Sequence, residues 1–162
     1  MTLERLIIEA DGGSRGNPGP SGSGAIVIDA ESGRVITEIS TFGGVATNNV
    51  AEYKAVLAGL TEAFRHNPKA AVLVRMDSKL VVEQMSGNWK IKHPDMQVLA
   101  IEVQKLVSGK SVEWVWIPRE QNSRADALAN EAMDTESDVI RHLESNEIPS
   151  SKALEFNPLL PS

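Results

Sequence analysis

The first 42 residues contain three short apolar runs, which predict three β-strands. The runs are 3–10, 24–29 and 35–42, and the first and third alternate in part between apolar and polar residues. Residues 12–22 are rich in glycine, proline and serine, which predicts a loop, and residues 31–34 are typical of a hairpin turn. Three successive strands joined by short turns indicate an antiparallel meander.

The middle of the chain predicts a long helix followed by a buried strand. Apolar residues recur with helical spacing from Tyr53 to Phe64, and Asn49 is placed to cap the N-terminus of this helix. Residues 70–76 are mostly apolar, which is typical of a strand that is covered on both faces.

Two further helices, a fifth strand and a last helix complete the pattern. We expect them at 78–85, at 94–106, at 112–117 and from Asn122 onward. On the fifth strand, Trp114 and Trp116 are expected to lie in the core. The order βββαβααβα predicts an α/β fold with a mixed five-stranded sheet, in which parallel additions follow three antiparallel strands and helices flank the sheet.

Length and composition indicate one domain with a C-terminal tail. The chain has 162 residues and its periodic pattern fades after residue 145, so we divide it into a folded domain, 1–140, and a tail or linker, 141–162. No apolar run reaches the ~18–20 residues that cross a membrane, and the N-terminus lacks the pattern of a signal peptide. Cysteine is absent, which excludes disulfides. We expect a cytoplasmic monomer that binds no membrane.

The net charge of −6 is unevenly distributed along the chain. Residues 1–130 carry 14 basic and 15 acidic residues, whereas residues 131–162 carry 2 and 7. The acidity therefore belongs mainly to the C-terminal end, and the body of the chain is compatible with a nucleic-acid backbone as partner. An ordinary acidic globular domain accounts for these charges equally well.

Four acidic residues stand at predicted junctions between elements: Asp11, Glu52, Asp77 and Asp126. Each has a structural explanation of its own. Asp11 suits an Asp-Gly turn, and Glu52 lies near a capping box begun by Asn49. Asp77 is placed to cap a helix, and Asp126 suits the first turn of one. Spacing alone does not join these four residues, which are spread over 116 positions.

Four segments around these acids resemble type 1 ribonuclease H, a family of the RNase H-like superfamily. The segments are 11–20 (DGGSRGNPGP), 47–52 (TNNVAE), 77–78 (DS) and 124–129 (RADALA), in the order of the family. The resemblance covers roughly residues 3–135, and the first segment is its most specific part. It implies the RNase H-like fold, in agreement with the order of elements read from the hydrophobic pattern.

The resemblance implies a metal-dependent endonuclease. Asp11, Glu52, Asp77 and Asp126 would be its catalytic acids and would hold two Mg²⁺ ions, with Mn²⁺ as the alternative metal. The substrate would be an RNA–DNA hybrid, whose RNA strand is cut to leave 5′-phosphate and 3′-hydroxyl ends. The expected substrate contacts are the Gly12 backbone, Asn17, Thr47, Asn48 and Asn49. Helix capping by Asn48 and Asn49, and a tight turn at the glycines, are the alternative explanations.

The chain departs from the family in the loop before its last acid. Many relatives carry a histidine there, but His66, His93 and His142 lie elsewhere, and we expect all three on the surface. Arg119 stands in that region instead, as in an arginine-bearing subgroup. Arginine cannot act as a general base but can bind a phosphate with its planar fork. We assign Arg119 to the scissile phosphate or to product release, with a surface pair to Glu120 as the alternative.

A second departure is the absence of the basic handle that many bacterial relatives insert after the third acid. Residues 86–94 are too few to contain it. Trp89 in this segment resembles an aromatic residue that packs on the DNA strand in relatives, and a core position is the alternative. Without the handle, we expect weaker binding of the hybrid.

Two other functions remain open from the sequence. One is the same fold with double-stranded RNA as its substrate, and the other is a nucleic-acid-binding module that has lost catalysis. In some bacterial relatives the domain precedes a phosphatase-like domain, so residues 141–162 are a candidate linker to such a domain.

Overall fold

The computed structural model describes residues 3–143 and residue 149, and the described chain folds around a six-stranded sheet. The sheet order is β5-β4-β1-β2-β3-β6. The strands are β1 (Arg5–Ser14), β2 (Gly19–Asp29), β3 (Val35–Ala46), β4 (Ala71–Met76), β5 (Val112–Trp116) and β6 (Val139–His142). The helices are α1 (Asn48–His66), α2 (Lys79–Met85), α3 (Pro94–Val107) and α4 (Ser123–Thr135), with a 3₁₀ turn at Arg119–Gln121.

The antiparallel meander of the first three strands is confirmed, but β1 and β2 are longer than the sequence indicates. Their ladder continues from the Leu6–Asp29 pair to the Ser14–Ser21 pair, which reduces the expected 12–22 loop to residues 15–18. The glycines belong to the strands because helices pack directly on them. A Cβ at Gly12 would lie 2.2 Å from the Ala51 carbonyl carbon, and one at Gly22 would lie 2.3 Å from the Ala129 carbonyl oxygen.

Helices cover both faces of the sheet. Alternate residues of β1 point to opposite sides, so Ile8 packs in the core cluster with Leu60 of α1, whereas Ile7 packs in the cluster with Leu128 of α4. The same alternation places Asp11 on the α4 side with Ile7. The parallel pairing of β1 with β4, from Arg5–Ala71 to Ala10–Met76, brings the ends of these two strands to one edge.

Two helix caps differ from the expected ones. Thr47, and not Asn49, caps α1, and its hydroxyl oxygen accepts a hydrogen bond from the Val50 N–H at 3.2 Å. Ser78, and not Asp77, caps α2 by accepting from the Val81 N–H at 3.2 Å. In both cases a residue with a hydroxyl group caps the helix. The nearby acids, Glu52 and Asp77, are therefore not used as caps.

The sixth strand, β6, was not expected from the sequence. It pairs antiparallel with β3 at the edge of the sheet, so the five-stranded prediction was wrong and the proposed boundary at residue 140 falls inside a strand. His142 lies in this strand and not in a tail. Residues 144–148 and 150–162 of the expected tail lie outside the described residues. None of the described helices is long and apolar enough to cross a bilayer.

Candidate active site

The four acids, far apart in sequence, line one cavity of about 420 Å³. Asp11 lies on β1, Asp77 directly follows β4, Glu52 lies in α1 and Asp126 lies in the first turn of α4. Asp11, Glu52 and Asp77 each offer a carboxylate oxygen, and these three atoms lie within 4.8 Å of one another. The parallel β1–β4 pair supplies two of the acids, and one helix from each face of the sheet supplies one more.

The two oxygens of the Glu52 carboxylate have different surroundings. Its Oε1 accepts a hydrogen bond from the Gly12 N–H at 2.8 Å. Glu52 therefore binds the backbone of β1 and does not form the capping box. Its Oε2 is buried and has no hydrogen-bond partner among the described residues. A buried carboxylate oxygen without a donor is costly unless a cation satisfies it.

Burial and mutual repulsion disfavour the charged form of these acids. Burial raises the pKa of Asp11 strongly, and the charges of Glu52 and Asp77 raise it further. Burial raises the pKa of Glu52 to about 7, although the neighbouring Asp11 carboxyl and the Gly12 N–H oppose the change. A bound cation would favour the charged forms, and a hard divalent ion prefers oxygen ligands of this kind. The residues therefore fit a divalent metal ion.

Asn122 is a site residue that the sequence analysis missed. Its Nδ2 donates to the Asp77 Oδ1 at 2.8 Å and to the Ala10 carbonyl oxygen at 2.9 Å, and the side chain is 1% exposed. It precedes α4, where asparagine is usually a cap, but within the described chain it makes no side-chain cap bond. The amide instead fixes the Asp77 carboxylate beside the end of β1.

Two other side chains support the acids. Asn130, one turn after Asp126, donates from Nδ2 to the Asp126 Oδ2 at 3.3 Å. Trp116 donates from Nε1 to the Asp77 carbonyl oxygen at 3.2 Å and is 46% exposed, so its expected core position was wrong. Trp114, in contrast, is partly buried and packs against the main core.

A buried ion cluster lies behind the acids. Glu9 of β1 is fully buried and accepts hydrogen bonds from Arg124 of α4 at 3.1 and 3.2 Å. Arg75 of β4 lies 3.6 Å from the same carboxylate and is 3% exposed. One carboxylate thus joins the two strands and the helix that position Asp11, Asp77 and Asp126.

The polar residues expected to contact substrate form a connected group next to the acids. Asn48 accepts hydrogen bonds at its Oδ1 from the Ser14 N–H at 2.8 Å and from the Ser14 hydroxyl at 3.1 Å. Asn17 accepts from the Asn48 N–H at 3.1 Å. Thr47 is the cap of α1, and Asn49 lies half-buried in the first turn of that helix. These bonds fix the glycine-rich segment against the start of α1.

Arg119 and Trp89 occupy different surroundings. Arg119 is exposed in the 3₁₀ turn and lines the cavity of the four acids, and no ion pair joins it to Glu120 in the described part of the chain. Trp89 is 44% exposed, which argues against a core position. It lines a separate cavity of about 570 Å³ together with Lys90 and Lys92.

Comparison with known proteins agrees with this architecture. Residues 9–132 match the family model described as reverse transcriptase-like. The N-terminal RNase H domain of a Mycobacterium tuberculosis protein, solved as a fusion with maltose-binding protein, is 52% identical with a TM-score of 0.77, covering 81% of this chain and 94% of that one. LC11-RNase H1, solved in complex with an RNA/DNA hybrid, is 40% identical with a TM-score of 0.77, covering 82% and 99%.

The curated relatives are mostly longer than this chain. The bifunctional protein of Mycobacterium tuberculosis is 52% identical over 131 residues, which are 80% of this chain but 36% of the relative, so the chain spans about a third of its length. Ribonuclease HI of Halobacterium salinarum is 40% identical over 76% of this chain and 62% of its own length. The chain therefore belongs to the reverse transcriptase-like family and, within it, to the type 1 ribonucleases H.

Proposed function

We propose that this domain is an endonuclease that cuts the RNA strand of RNA–DNA hybrids and leaves 5′-phosphate and 3′-hydroxyl ends. The observation that carries the proposal is the convergence of four acids on one cavity, with the Glu52 Oε2 buried and unpartnered among the described residues. The relatives named ribonuclease H, and the one solved with an RNA/DNA hybrid, support the choice of substrate.

We propose that Asp11, Glu52, Asp77 and Asp126 hold two Mg²⁺ ions, for which Mn²⁺ is the alternative. When bound, the metal supplies an activated water and stabilises charge on the leaving 3′-oxygen. Asn122 keeps the Asp77 carboxylate directed toward the cavity. Gly12 keeps Glu52 in place through its N–H.

The substrate contacts in this proposal lie on both sides of the acids. We assign contacts with the ribose 2′-hydroxyl, the group that distinguishes RNA from DNA, to four residues next to the end of β1. They are Asn17, Thr47, Asn48 and Asn49. Gly12 donates its N–H to Glu52, so the contact that we propose from its backbone uses the carbonyl oxygen. Arg119 is assigned to the scissile phosphate, and exposed Trp89 to the sugar of the DNA strand.

One experiment separates this proposal from its alternatives. Labelled RNA–DNA hybrid, double-stranded RNA and double-stranded DNA are incubated with the protein in Mg²⁺, in Mn²⁺ or in EDTA. We expect cleavage of the hybrid that EDTA and Asp77→Asn abolish, whereas Asp95→Asn, at an exposed acid on α3, leaves cleavage unchanged. Binding without cleavage in either metal would indicate a silent module, and preferential cleavage of double-stranded RNA would indicate a shifted substrate.

The domain limits and the oligomeric state stay predictions. The described fold continues to His142, so we propose that the catalytic domain includes β6. The mycobacterial relative is named bifunctional, which is compatible with fusion of this domain to a second one in a longer chain. A monomer is expected, and light scattering of the purified chain with and without a hybrid oligonucleotide tests it.

A further inference from the structure

A second cluster of metal-ligating side chains lies away from the active site, between α1 and β6. Glu62 and His66 are one turn apart on α1, and His142 lies on β6. One donor atom from each of the three residues lies within 4.8 Å of the other two. His66 is only 22% exposed, contrary to the surface position expected from the sequence.

The spacing of the donor atoms suits a tetrahedral ion. Zinc binds histidine nitrogen and carboxylate oxygen at ~2.0–2.2 Å, which sets the edges of its coordination tetrahedron at about 3.3–3.5 Å. The Glu62 Oε1 lies 3.4 Å from the His66 Nε2 and 3.4 Å from the His142 Nδ1. Two of the three edges therefore already have the length that zinc requires.

The backbone fixes the three side chains relative to one another. His142 is the direct partner of Thr37 in the β3–β6 ladder, so both side chains lie on the face of the sheet that α1 covers. The Thr37 hydroxyl lies 2.8 Å from the His66 Nε2, and the two imidazole rings meet edge to face with centroids 6.3 Å apart. The Glu62 side chain is 8% exposed, so the central ligand is sheltered from water.

The surroundings lower the pKa values of both Glu62 and His66. Burial raises the pKa of Glu62, but the hydrogen bond from Arg65 and the positive charges nearby outweigh it, and the pKa lies below its ordinary value. Burial lowers the pKa of His66 and is the largest cause, the Glu62 charge opposes it, and the charges of Arg65 and His142 lower the pKa further.

Arg65 is the competing cation. Its Nη2 donates to the Glu62 Oε1 at 2.6 Å, and its Nε donates to the Oε2 at 3.2 Å. The side chain is 60% exposed, and its Nη2 also lies 3.2 Å from the His142 Nε2, so a metal ion must displace the guanidinium from two of its ligands. A metal ion on Oε1 would replace the Nη2 contact and the hydrogen bond between Thr37 and His66.

We propose that Glu62, His66 and His142 form a zinc site that fastens the edge strand β6 to α1. The site leaves a fourth position open to water. Its role is structural, because it joins the last described strand to the helix that carries Glu52 and lies outside the cavity of the four acids.

Zinc titration by calorimetry tests the proposal, with excess Mg²⁺ present to compete for the cavity of the four acids. We expect one zinc ion per chain, with affinity at least about tenfold lower in His66→Ala and in His142→Ala. His93→Ala, which removes the other histidine of the chain, is the matched control and should bind as the wild type does. Arg65→Ala should bind zinc about two- to fivefold more tightly, because an exposed competitor is removed.

Two readouts identify the ligands directly. Zinc should shift the imidazole NMR signals of His66 and His142 and leave that of His93 in place, and Co²⁺ should give the intense visible bands of a tetrahedral site. Zinc binding that is equal in the wild type and in His142→Ala, whose exposed side chain can be removed without loss of the fold, would overturn the proposal. Unmoved histidine signals at saturating zinc would overturn it as well.

Discussion

Arg124 and Glu9 form a buried two-point ion pair between α4 and β1, and each precedes one of the four cavity-lining acids by two residues. Arg124 donates to both oxygens of Glu9 at 3.2 and 3.1 Å, two positions before Asp126 and Asp11. Arg75, which shares the Glu9 carboxylate, precedes Asp77 by two positions. Since residues i and i+2 of a strand lie on one face, Glu9 lies directly behind Asp11 on β1, and its contacts with Arg124 and Arg75 link this position to α4 and β4.

The first expectation concerns Glu9→Gln. This change leaves two buried arginines without their carboxylate, and breaking a buried pair usually costs about 3–5 kcal/mol of unfolding free energy. We expect a loss of this order in urea denaturation, together with slower cleavage, because the ends of β1, β4 and α4 are no longer fixed to each other. Glu102→Gln on the exposed side of α3 is the matched control. Wild-type stability in Glu9→Gln would show that the cluster is not the link between these elements.

The second expectation concerns Asn122→Ala. Asp77 loses the donor at 2.8 Å, while its own carboxylate is unchanged. Removing such a partner of a metal ligand typically costs 10–100-fold in metal affinity or activity. We expect cleavage to need more Mg²⁺ and to recover in part at high Mg²⁺, a response that general destabilisation would not produce. Asn88→Ala, at an exposed position after α2, should show the wild-type dependence on Mg²⁺.

The third expectation is a pH effect in the absence of metal. The pKa of Glu52 is raised from 4.5 to about 7 by burial, so between these values the folded protein binds more protons than the unfolded one. Its stability in EDTA should therefore fall as pH rises from about 4.5 through 7. Glu52→Gln removes this loss, and at pH 8 it should exceed the wild type by on the order of 2–3 kcal/mol.

Thermal unfolding checks this expectation at two pH values. The advantage of Glu52→Gln should vanish near pH 4, where the wild-type acid is neutral in both states. At pH 8, Mg²⁺ should raise the melting temperature of the wild type much more than that of the variant. A variant less stable than the wild type in EDTA at pH 8 would contradict the raised pKa.

Local patterns predicted most of the fold, because most of its signals are local. The apolar stripe of α4 and the continuous apolar run of β4 are each patterns within a single element. Both elements lie where they were expected. The glycines after Asp11 led to the wrong prediction of a loop at 12–22. Glycine is typical of turns, but here the missing side chain of Gly12 allows α1 to pack directly on β1. The four-residue β6 is short, and its polar Arg141 and His142 give no apolar alternation to detect.

The residues of the site could be predicted only where they belong to a sequence motif. Asp11, Glu52, Asp77 and Asp126 stand in segments that resemble a family. Asn122 does not, and its two acceptors are 45 and 112 positions away, so its role appears only when the chain is folded. Glu9 resembles an ordinary polar strand position, because its partner Arg124 is 115 positions distant.

The fourth expectation concerns Arg119, which lines the cavity of the four acids from an exposed turn. Arg119→Ala should leave the melting temperature unchanged, since no buried contact is lost. If the side chain binds a phosphate, a charge-assisted bond worth about 1.5–3 kcal/mol disappears, and cleavage should slow about 10–100-fold. Arg119→Lys keeps the charge without the planar fork and should recover only part of the rate. Unchanged turnover and substrate affinity in Arg119→Ala would remove this residue from the mechanism.

The last expectation concerns the attachment of β6. Arg141 contacts Glu131 of α4 and lies 3.6 Å from Glu38, its cross-strand neighbour on β3, which is fully buried. Arg141→Ala removes this cation from beside the buried Glu38 carboxylate, and we expect a loss of about 1–3 kcal/mol in urea denaturation. Arg34→Ala, in the β2–β3 turn, is the control and should lose little. If β6 fastens the edge of the sheet, hydrogen exchange should accelerate along β3 in Arg141→Ala while β1 and β4 stay protected. Equal protection of β3 in both variants would show that the Arg141 side chain does not hold β6 on the sheet.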